Sequence, residues 1–429
     1  AVLPESQPVS PHQVTAENQH ESLAHAVTPL WQIPYSKQLD IKLEWSKAVI
    51  QNFTKKFQHQ VKERKTRRVP YKIHPVKPSP VTKEYRNKDE FSIQRGVDGN
   101  PKTVGFFVGS PAEGAVVCVR GTHLVNLRES HNKVAEAFEE YIRSSPLPAC
   151  LHFADGGHWR GLTVRSNKEG QLMAIVLFHP QSMAQEKLEE EADKIRDFFL
   201  HGPGTRCNLS SLYFQPCRHT RCTADQAPYS LLLGDSHLTE KLSGFSFCIS
   251  PDSFFQVNTA AASVLYEVVL NLAHVTPRTT LLDVCCGTGT VSILASSRVR
   301  GAVGVESVYS AVADAKHNAV LNKASNVEFI PGLAEKKIPK LISELGLASD
   351  IVAVLNPGRS GLHARVVKAL CRCHQIRRLV YVSCKADSPN TVSNFIQLCS
   401  EGKFSLRDVV PVDLFPHTMH TELVMSFRR

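Results

Sequence analysis

The second half of the chain alternates between short apolar runs and segments whose apolar residues have helical spacing. The predicted strands are Leu281–Val284, Ala302–Val305, Val327–Ile330, Ile351–Leu355 and Leu379–Val382. The predicted helices are Thr259–Ala273, Thr290–Ser297, Tyr309–Asn322, His363–Cys371 and Ser388–Cys399. Regular alternation of this kind predicts a parallel, doubly wound α/β sheet. Two last strands, near Leu406–Val410 and Glu422–Phe427, have no long helix between them, so we expect one of them to run antiparallel.

Three regions precede this sheet domain, which we place at residues 243–429. Residues 1–34 are rich in Pro, Ser, Gln and His and lack periodicity, so we predict that they are disordered. Residues 35–89 are predicted to form an amphipathic helix, from Tyr35 to about Phe57, followed by a basic arm. Residues 90–242 show a mixed α+β pattern. Its predicted elements are the strands Thr103–Val108, Val116–Val119, Leu162–Arg165 and Met173–Phe178 and the helices Glu129–Arg143 and Ala184–Leu200.

The stretch Leu281–Thr290, LLDVCCGTGT, is the strongest local motif of the chain. A strand ending in Asp283 leads into a glycine turn that opens a helix, and a second strand ends in Glu306 about twenty residues later. Glycines at such a turn let backbone amides approach a ligand, and the second acid can accept hydrogen bonds from ribose hydroxyls. The other interpretation is an ordinary strand–helix corner. Because the third glycine of the dinucleotide fingerprint is missing, the motif favours S-adenosylmethionine over NAD.

Composition adds a prediction about partners. The chain has 429 residues, 42% of them hydrophobic, and a formal net charge of +10. No apolar run approaches the length of a membrane span, so we predict no membrane insertion. The positive charge favours nucleic acid as a partner. The segment Lys55–Lys88 carries twelve Lys or Arg residues against two Glu, and it is either a solvated tail or an arm that follows phosphates.

Cysteine spacing predicts neither a disulfide framework nor a metal site. Twelve cysteines are spread through the chain, which favours a reducing compartment. Cys207, Cys217, His219 and Cys222 are close in sequence, but their spacing is not one used for structural zinc. We therefore predict that this chain holds no metal.

Three polar features adjoin the predicted strands of the sheet domain. Cys384 follows the apolar run that ends at Ser383, and Lys385 beside it could favour the nucleophilic thiolate; a buried, inert cysteine is the ordinary alternative. His417, His420 and Glu422 precede the last strand and are acid–base groups or surface residues of a Pro-containing loop. Phe254-Phe255-Gln256-Val257-Asn258 either stacks on and reads a base or is a hydrophobic staple with a helix cap.

Taken together, these residues resemble the RNA uracil-5-methyltransferase family, and in particular its eukaryotic tRNA branch. The matching stretches are Phe254–Asn258, LLDVCCGTGT, Gly304–Glu306, Asn356–Leu362, Tyr381–Cys384 and Asp413–Glu422. The resemblance implies a Rossmann-like S-adenosylmethionine-dependent methyltransferase domain. It also implies that residues 90–242 form an α+β RNA-binding domain in front of it.

The resemblance also implies roles for individual residues. Cys384 is expected to add to C6 of uracil, and Glu422 is expected to remove the C5 proton as the catalytic base. The residues expected to contact the cofactor are Gln256, Asp283, Cys285, Gly287, Gly289, Thr290, Glu306 and Asn356. The substrate contacts are expected from Phe254, Gln256 and Arg359, with Phe254 stacking on a flipped uracil.

Some expectations concern what differs from the family and what surrounds the reaction. Asn356-Pro357-Gly358-Arg359 stands where the family usually has Asp-Pro-Pro-Arg, and we expect slower or narrower activity as a result. No cysteine precedes Cys118, so we expect no iron–sulfur cluster. We expect a monomer acting on the T-loop of tRNA, with ribosomal RNA as an alternative. We expect the mitochondrial matrix as its compartment, with the targeting segment absent from this chain, and the cytosol or nucleus as the alternative.

Two other functions remain open on the sequence. A cytosine-5 RNA methyltransferase also uses a cysteine nucleophile, although the loop from His417 to Glu422 favours uracil. A non-catalytic RNA-binding protein with a degenerate methyltransferase fold would explain Asn356 but not the presence of Cys384 and Glu422.

Overall fold

The computed structural model describes residues 10–60, 71–110, 115–220, 222–224, 226–345 and 350–429. Its helices are α1 Gln19–Val27, α2 Tyr35–Gln60, α3 Glu129–Ser144, α4 Gln185–Leu200, α5 Thr259–Ala273, α6 Thr290–Ala295, α7 Tyr309–Leu321, α8 Ala334–Leu345, α9 Ala364–Arg372 and α10 Pro389–Ser400. Its strands are β1 Lys72–Ile73, β2 Lys88–Gln94, β3 Thr103–Ser110, β4 Ala115–Val119, β5 Trp159–Ser166, β6 Leu172–Phe178, β7 Ser211–Pro216, β8 Ser230–Gly234, β9 Leu238–Leu242, β10 Phe245–Ile249, β11 Thr280–Val284, β12 Gly301–Glu306, β13 Val327–Pro331, β14 Ile351–Leu355, β15 Ile376–Ser383, β16 Ser405–Val412 and β17 Glu422–Arg428.

The chain folds into two compact units that are each built from separate stretches of sequence. The first unit comprises Ala1–Pro34, Val81–Lys241 and Cys248–Asp252. The second unit comprises Tyr35–Pro80, Leu242–Phe247 and Ser253–Arg429.

The second unit is an α/β sheet with the predicted topology. Its eight strands have the order β1-β16-β17-β15-β14-β11-β12-β13. The pairs from β15 to β13 are parallel, whereas β17 runs antiparallel to both β15 and β16. Every residue of Ile351–Leu355 is buried, as expected for a central parallel strand covered on both faces. The predicted α/β fold and the single antiparallel strand are confirmed.

Helix α2 is part of the second unit. Its residues Val49, Ile50 and Phe53 are buried in the hydrophobic core under the sheet. Strand β1, further along the same segment, pairs in parallel with β16. The prediction of a separate region at residues 35–89 is therefore wrong for the structured part of this segment. Periodicity identified the helix, but it could not show which distant residues the helix packs against.

The first unit contains a seven-stranded sheet with the order β4-β3-β2-β5-β6-β7-β8, in which only β6 and β7 are parallel neighbours. Helices α3 and α4 supply buried residues to the same core, among them Phe138 and Ile195. The prediction that residues 1–34 are disordered is wrong for the described part, because α1 lies there and buries Leu23 in this core. A nine-residue helix with few apolar positions gave too weak a periodic signal.

Residues 61–70 of the basic arm lie outside the described residues. Cys217 and Cys222 form a disulfide, which the cysteine spacing had not predicted. Among the described residues, no group of His, Cys, Asp and Glu could hold a metal ion, and no helix is long and apolar enough to cross a membrane.

Candidate active site

The polar residues predicted at the strand ends lie along one edge of the sheet. Val284 pairs with both Leu355 and Val305, so β11, β14 and β12 end level with one another. The backbone N–H of Asn356 donates to Val284 O at 3.1 Å just beyond this point. Given the strand order, Glu422, Cys384, Asn356, Cys285 and Glu306 follow one another along this edge. This is the edge at which parallel α/β sheets bind ligands.

The turn after β11 has a backbone that only particular residues tolerate. Cys285, Gly287 and Gly289 all have left-handed conformations, with φ of 63°, 54° and 79°. A Cβ at Gly289 would lie 2.5 Å from the Phe329 ring, whereas a Cβ at Gly287 would meet nothing within 4 Å. Gly289 is thus required by packing, and Gly287 leaves open space in front of the backbone. The turn feeds directly into α6, which begins at Thr290.

Two acids flank this turn. Asp283 is fully buried, and its Oδ2 accepts hydrogen bonds from Ser292 N at 3.2 Å and Ser292 Oγ at 2.8 Å. Its Oδ1 is also buried and has no hydrogen-bond partner among the described residues. Burial raises the pKa of Asp283 to about 6, against the lowering effect of the Ser292 hydrogen bonds. Asp283 therefore offers a buried acceptor next to the turn.

Glu306 is held at the end of β12 by backbone donors. Its Oε2 accepts from Gly287 N at 3.1 Å, and its Oε1 accepts from Ser307 N at 2.7 Å and Val308 N at 3.0 Å. The carboxylate is therefore fixed beside the glycine turn. Tyr309, two residues beyond Ser307, is 68% exposed.

The strand register places Cys384 opposite Glu422. In the antiparallel pair β15–β17, Val382 faces Val424 and Ser383 faces Leu423. Continuing this register by one residue sets Cys384 across from Glu422. Opposed residues of antiparallel strands have Cα atoms about 5 Å apart, so the thiol and the carboxyl share one small site.

The environment of Cys384 includes one cation that the sequence had not assigned to it. Burial and the nearby Glu422 carboxylate raise the pKa of the Cys384 thiol, while Arg359, which is placed to hydrogen-bond the sulfur, lowers it. Lys385, the cation expected to act on the thiol, is not among the groups that shift its pKa. Arg359, predicted as a substrate contact, thus also favours the thiolate.

Glu422 is buried in a low-dielectric environment. Burial raises the pKa of its carboxyl to about 7, close to the value that suits a general base at neutral pH. His420, two residues earlier, has a lowered pKa, first because of burial and then because of Arg359, Lys42 and Lys385. His417 faces elsewhere, since its Nδ1 lies 3.0 Å from Gln38 Nε2.

Tyr266 is a site residue that sequence reasoning missed. It lies on α5, and its hydroxyl hydrogen-bonds to Thr290 and Gln256. Burial, followed by the carboxylates of Asp283 and Glu422, raises the pKa of Tyr266, so its hydroxyl stays protonated. Nothing in the sequence distinguished it, because it occupies an ordinary apolar position of an amphipathic helix.

The segment before α5 contributes two further predicted residues. Gln256 is buried, whereas Phe254 is 65% exposed at the surface of the second unit. Asn258 caps α5, since its Oδ1 accepts from Ala261 N at 3.1 Å. The cap alternative is thus correct for Asn258, and the exposed ring of Phe254 is free of the packing that a hydrophobic staple requires.

The residues around the turn fit S-adenosylmethionine. The unpartnered Oδ1 of Asp283 suits an amino group, Glu306 suits ribose hydroxyls, and the space in front of Gly287 lets a ligand approach the backbone. Gln256, Cys285, Thr290 and Asn356 surround the same turn or its neighbouring strand end. The cofactor residues predicted from the sequence are thus brought together, although their individual roles stay predictions.

The fold and this site define a Rossmann-like S-adenosylmethionine-dependent methyltransferase. The profile of the tRNA (uracil-5-)-methyltransferase family matches residues 235–429. Human tRNA (uracil-5-)-methyltransferase homolog B is 44% identical over 95% of this chain and 84% of its own length, and the Danio rerio homolog B is 45% identical over 95% and 87%. The mouse homolog A is 38% identical over 95% and 69%. The chain belongs to the tRNA (uracil-5-)-methyltransferase family, as the resemblance in its sequence implied.

A solved structure shares the fold over most of the chain. The Pyrococcus abyssi tRNA (uracil-54, C5)-methyltransferase, crystallised with S-adenosyl-L-homocysteine, aligns with a TM-score of 0.63 and 21% identity. The alignment covers 92% of this chain and 83% of the archaeal one.

Proposed function

We propose that this enzyme methylates C5 of a uridine in tRNA by using Cys384 as nucleophile and Glu422 as base. The observation that carries the proposal is the β15–β17 register, whose last pair is Ser383 and Leu423, so that Cys384 and Glu422 come next to each other one residue further on. The effect of the Glu422 carboxylate on the pKa of the Cys384 thiol supports this proximity. S-adenosylmethionine, when bound at the end of the sheet where the cofactor residues lie, would supply the electrophilic methyl group that C5 accepts, and it would leave as S-adenosylhomocysteine.

Cys384 would act first. Its thiolate forms a bond from Sγ to C6 of the uracil, which converts C5 into an enolate carbon that can accept the methyl group. Arg359 stabilises the thiolate before the attack, and Arg359 is exposed enough to contact the RNA as well.

Glu422 would act after methyl transfer. It removes the proton from C5, the Sγ–C6 bond breaks, and the electron pair of that bond returns to sulfur as the thiolate. A carboxyl with a pKa of about 7 is deprotonated in a large fraction of molecules at neutral pH, yet basic enough to take the proton.

Replacing each residue separately tests this division of work. Glu422→Gln should accumulate a methylated protein–RNA adduct, because adduct formation precedes the step that needs the base, and overall turnover should fall by about two to four orders of magnitude. Cys384→Ala should give no adduct and no turnover but should keep cofactor binding. The measurement is a denaturing gel of enzyme with tRNA and radiolabelled S-adenosylmethionine, and the control is the double variant, in which the adduct must disappear.

The results separate the alternatives. A non-catalytic RNA-binding protein gives no adduct in any variant, and a cytosine enzyme traps a cytidine instead of a uridine. Normal turnover by Glu422→Gln would remove Glu422 as the base and leave His420 as the next candidate.

We further propose the T-loop uridine of tRNA as the target, in line with position 54 named for the archaeal relative. The first unit would bind the RNA, and Phe254 would stack on the flipped base. Nucleoside mass spectrometry of tRNA and rRNA from cells lacking the protein tests the target, since loss of 5-methyluridine from rRNA alone would exclude tRNA.

The mitochondrial compartment and the monomeric state stay predictions, which imaging of the tagged full-length protein and light scattering would test.

A further inference from the structure

A buried polar cluster joins helix α2 to the loop that leads into Glu422. The Lys42 side chain is fully buried, and its Nζ lies 2.5 Å from Asp413 Oδ1, which is also fully buried. The same Nζ donates to Phe415 O at 2.9 Å. Both residues belong to the second unit, although 371 positions separate them in the sequence.

Two neighbouring residues on the same face of α2 hold the same loop. The Tyr35 hydroxyl donates to Asp413 Oδ2 at 3.0 Å and accepts from Ser79 N at 2.8 Å. Gln38 holds His417 twice, since His417 N donates to Gln38 Oε1 at 2.8 Å and Gln38 Nε2 donates to His417 Nδ1 at 3.0 Å. Tyr35, Gln38 and Lys42 are spaced by three and four residues, which places them on one side of a helix.

The loop is also fixed from the side that leads to the cofactor residues. Asn258 Nδ2 donates to Leu414 O at 3.1 Å and to Ser79 Oγ at 3.0 Å. His417 has a left-handed backbone with φ of 67°, an unfavourable conformation for a residue other than glycine. The contacts from Gln38 to its backbone and ring hold it in that conformation.

The chemistry of the cluster indicates a role other than stability. A buried ion pair is rarely more stabilising than apolar side chains of the same volume, whereas it strongly fixes the geometry of both partners. The C-terminal half of α2 already binds to the core through Val49, Ile50 and Phe53. The charged half of the same helix instead contacts the stretch Asp413–His417, which ends five residues before Glu422.

We propose that Lys42 is a positioning residue for catalysis: through Asp413 and Phe415 it fixes the loop that leads into Glu422, and so holds the Glu422 carboxyl in place beside Cys384. The inference rests on the function proposed above, in which Glu422 removes the C5 proton. Loss of the tether should displace Glu422 and leave Cys384 and the cofactor turn in place, because those lie on other strands. Adduct formation then continues while its resolution slows.

The test compares two identical substitutions on the same helix. Lys42→Met removes the buried cation, and Lys47→Met removes a half-exposed one whose partner Glu44 is on the surface. We expect Lys42→Met to lower kcat about a hundredfold, as a displacement of about 1 Å can do, with the KM values for tRNA and S-adenosylmethionine changed less than about threefold. It should also accumulate the S-adenosylmethionine-dependent protein–RNA adduct. Lys47→Met should behave as wild type in both measurements.

A second variant covers the event that Lys42→Met leaves Asp413 unpaired and the protein unfolded. Lys42→Met combined with Asp413→Asn removes both charges with little change of shape, and it should fold and still accumulate the adduct. Wild-type kcat in either folded variant, or a loss of kcat without adduct and in proportion to the unfolded fraction, would overturn the proposal.

Glu422→Gln, run in parallel, separates the two hypotheses: if it traps the adduct and the Lys42 variants do not, only the positioning role fails. If Glu422→Gln traps nothing, the assignment of Glu422 as base fails, and an unaltered kcat in the Lys42 variants still overturns the positioning role.

Discussion

Glu422 sits 5% exposed at the first position of β17, and no cation among the described residues is a cause of its pKa shift. Burial removes water from the charged carboxylate. This raises the pKa of the carboxyl, and it lowers the free energy of unfolding whenever the carboxyl is charged. The unfolded value near 4.5 is raised to about 7 in the fold. The folded state therefore binds the proton more tightly, and the wild-type protein loses stability as the pH rises from about 4.5 to about 7.

Removing the charge should recover that stability. The free energy of unfolding of Glu422→Gln, relative to wild type, should rise by roughly 3 kcal/mol between pH 4.5 and pH 8 and then stay level, since 2.5 units of pKa correspond to that amount. Urea denaturation of both proteins at several pH values measures it. Cys384→Ala at the same site is the control and should not reproduce the pH dependence between pH 4.5 and pH 7. If the difference in free energy of unfolding between Glu422→Gln and wild type did not change with pH, the charged carboxylate would not be destabilising the folded enzyme.

Sequence and structure differ in what they reveal about single residues. Cys384 and Glu422 could be proposed from motifs, because both follow or begin an apolar run and have reactive side chains. That the two residues lie opposite each other could not be proposed from motifs, since it depends on the register between segments about forty residues apart. Tyr266 and Lys42 carried no signal at all: each occupies a helical position whose importance comes from partners far away in the chain.

Among the elements, the glycine turn after β11 is the part whose sequence dictates its shape most strictly. Gly289 is the N-cap residue of α6 and has a positive φ, and the Phe329 ring and the Ala315 methyl group would lie 2.5 Å and 3.1 Å from an added Cβ. Gly287, two residues earlier, shares the positive φ but has open space around it.

Alanine at each position should therefore have a different effect. Gly289→Ala should lower the free energy of unfolding by about 2–4 kcal/mol, because it adds a steric overlap to the left-handed backbone penalty. Gly287→Ala should cost about 1 kcal/mol but should weaken S-adenosylmethionine binding, because the new methyl group occupies the space in front of the backbone. Thermal unfolding and calorimetric titration measure the two effects. Equal losses of stability in the two variants would contradict the role of the Phe329 ring in requiring glycine at position 289.

The elements of the second unit were largely predictable because each central strand is a continuous apolar run next to a helix of regular periodicity. Helix α8 was not predicted, and it contains Pro339, a residue that ordinarily argues against a helix. In the first unit, β2 and β7 were also missed. Strand β2 buries alternate residues and β7 is buried from Ser211 to Gln215, but both contain polar residues, such as Asp89 and Gln215, whose burial depends on the neighbouring strands of the sheet.

At the scale of the whole molecule, one short run of the sequence is dense in positive charge. Five of the Lys and Arg residues lie between Lys62 and Arg68. Replacing these five by Gln, while leaving α2 and β1 unchanged, should weaken tRNA binding and reduce the slope of log K against log salt by up to about 0.9 for each phosphate that is no longer neutralised. Fluorescence anisotropy with labelled tRNA at several salt concentrations measures the slope. The matched control replaces five exposed cations elsewhere with Gln, namely Lys133, Arg196, Lys336, Lys340 and Arg365. An equal reduction of the salt slope in that variant would show that only net charge matters.

The second unit is interrupted in sequence, and this has a consequence for how the chain matures during synthesis. Tyr35–Pro80 leaves the ribosome long before β16 and β17, the strands that β1 and α2 need. Until residue 413 has been made, the Lys42 amine has no carboxylate to neutralise it, and α2 has no sheet on which to bury its apolar side. The nascent helix must therefore remain solvated or held by a chaperone while the intervening first unit folds. Closure of the second unit is then a late event that joins α2 to the last strands, and a premature stop before Asp413 removes the anchor of α2 together with Glu422, the proposed base.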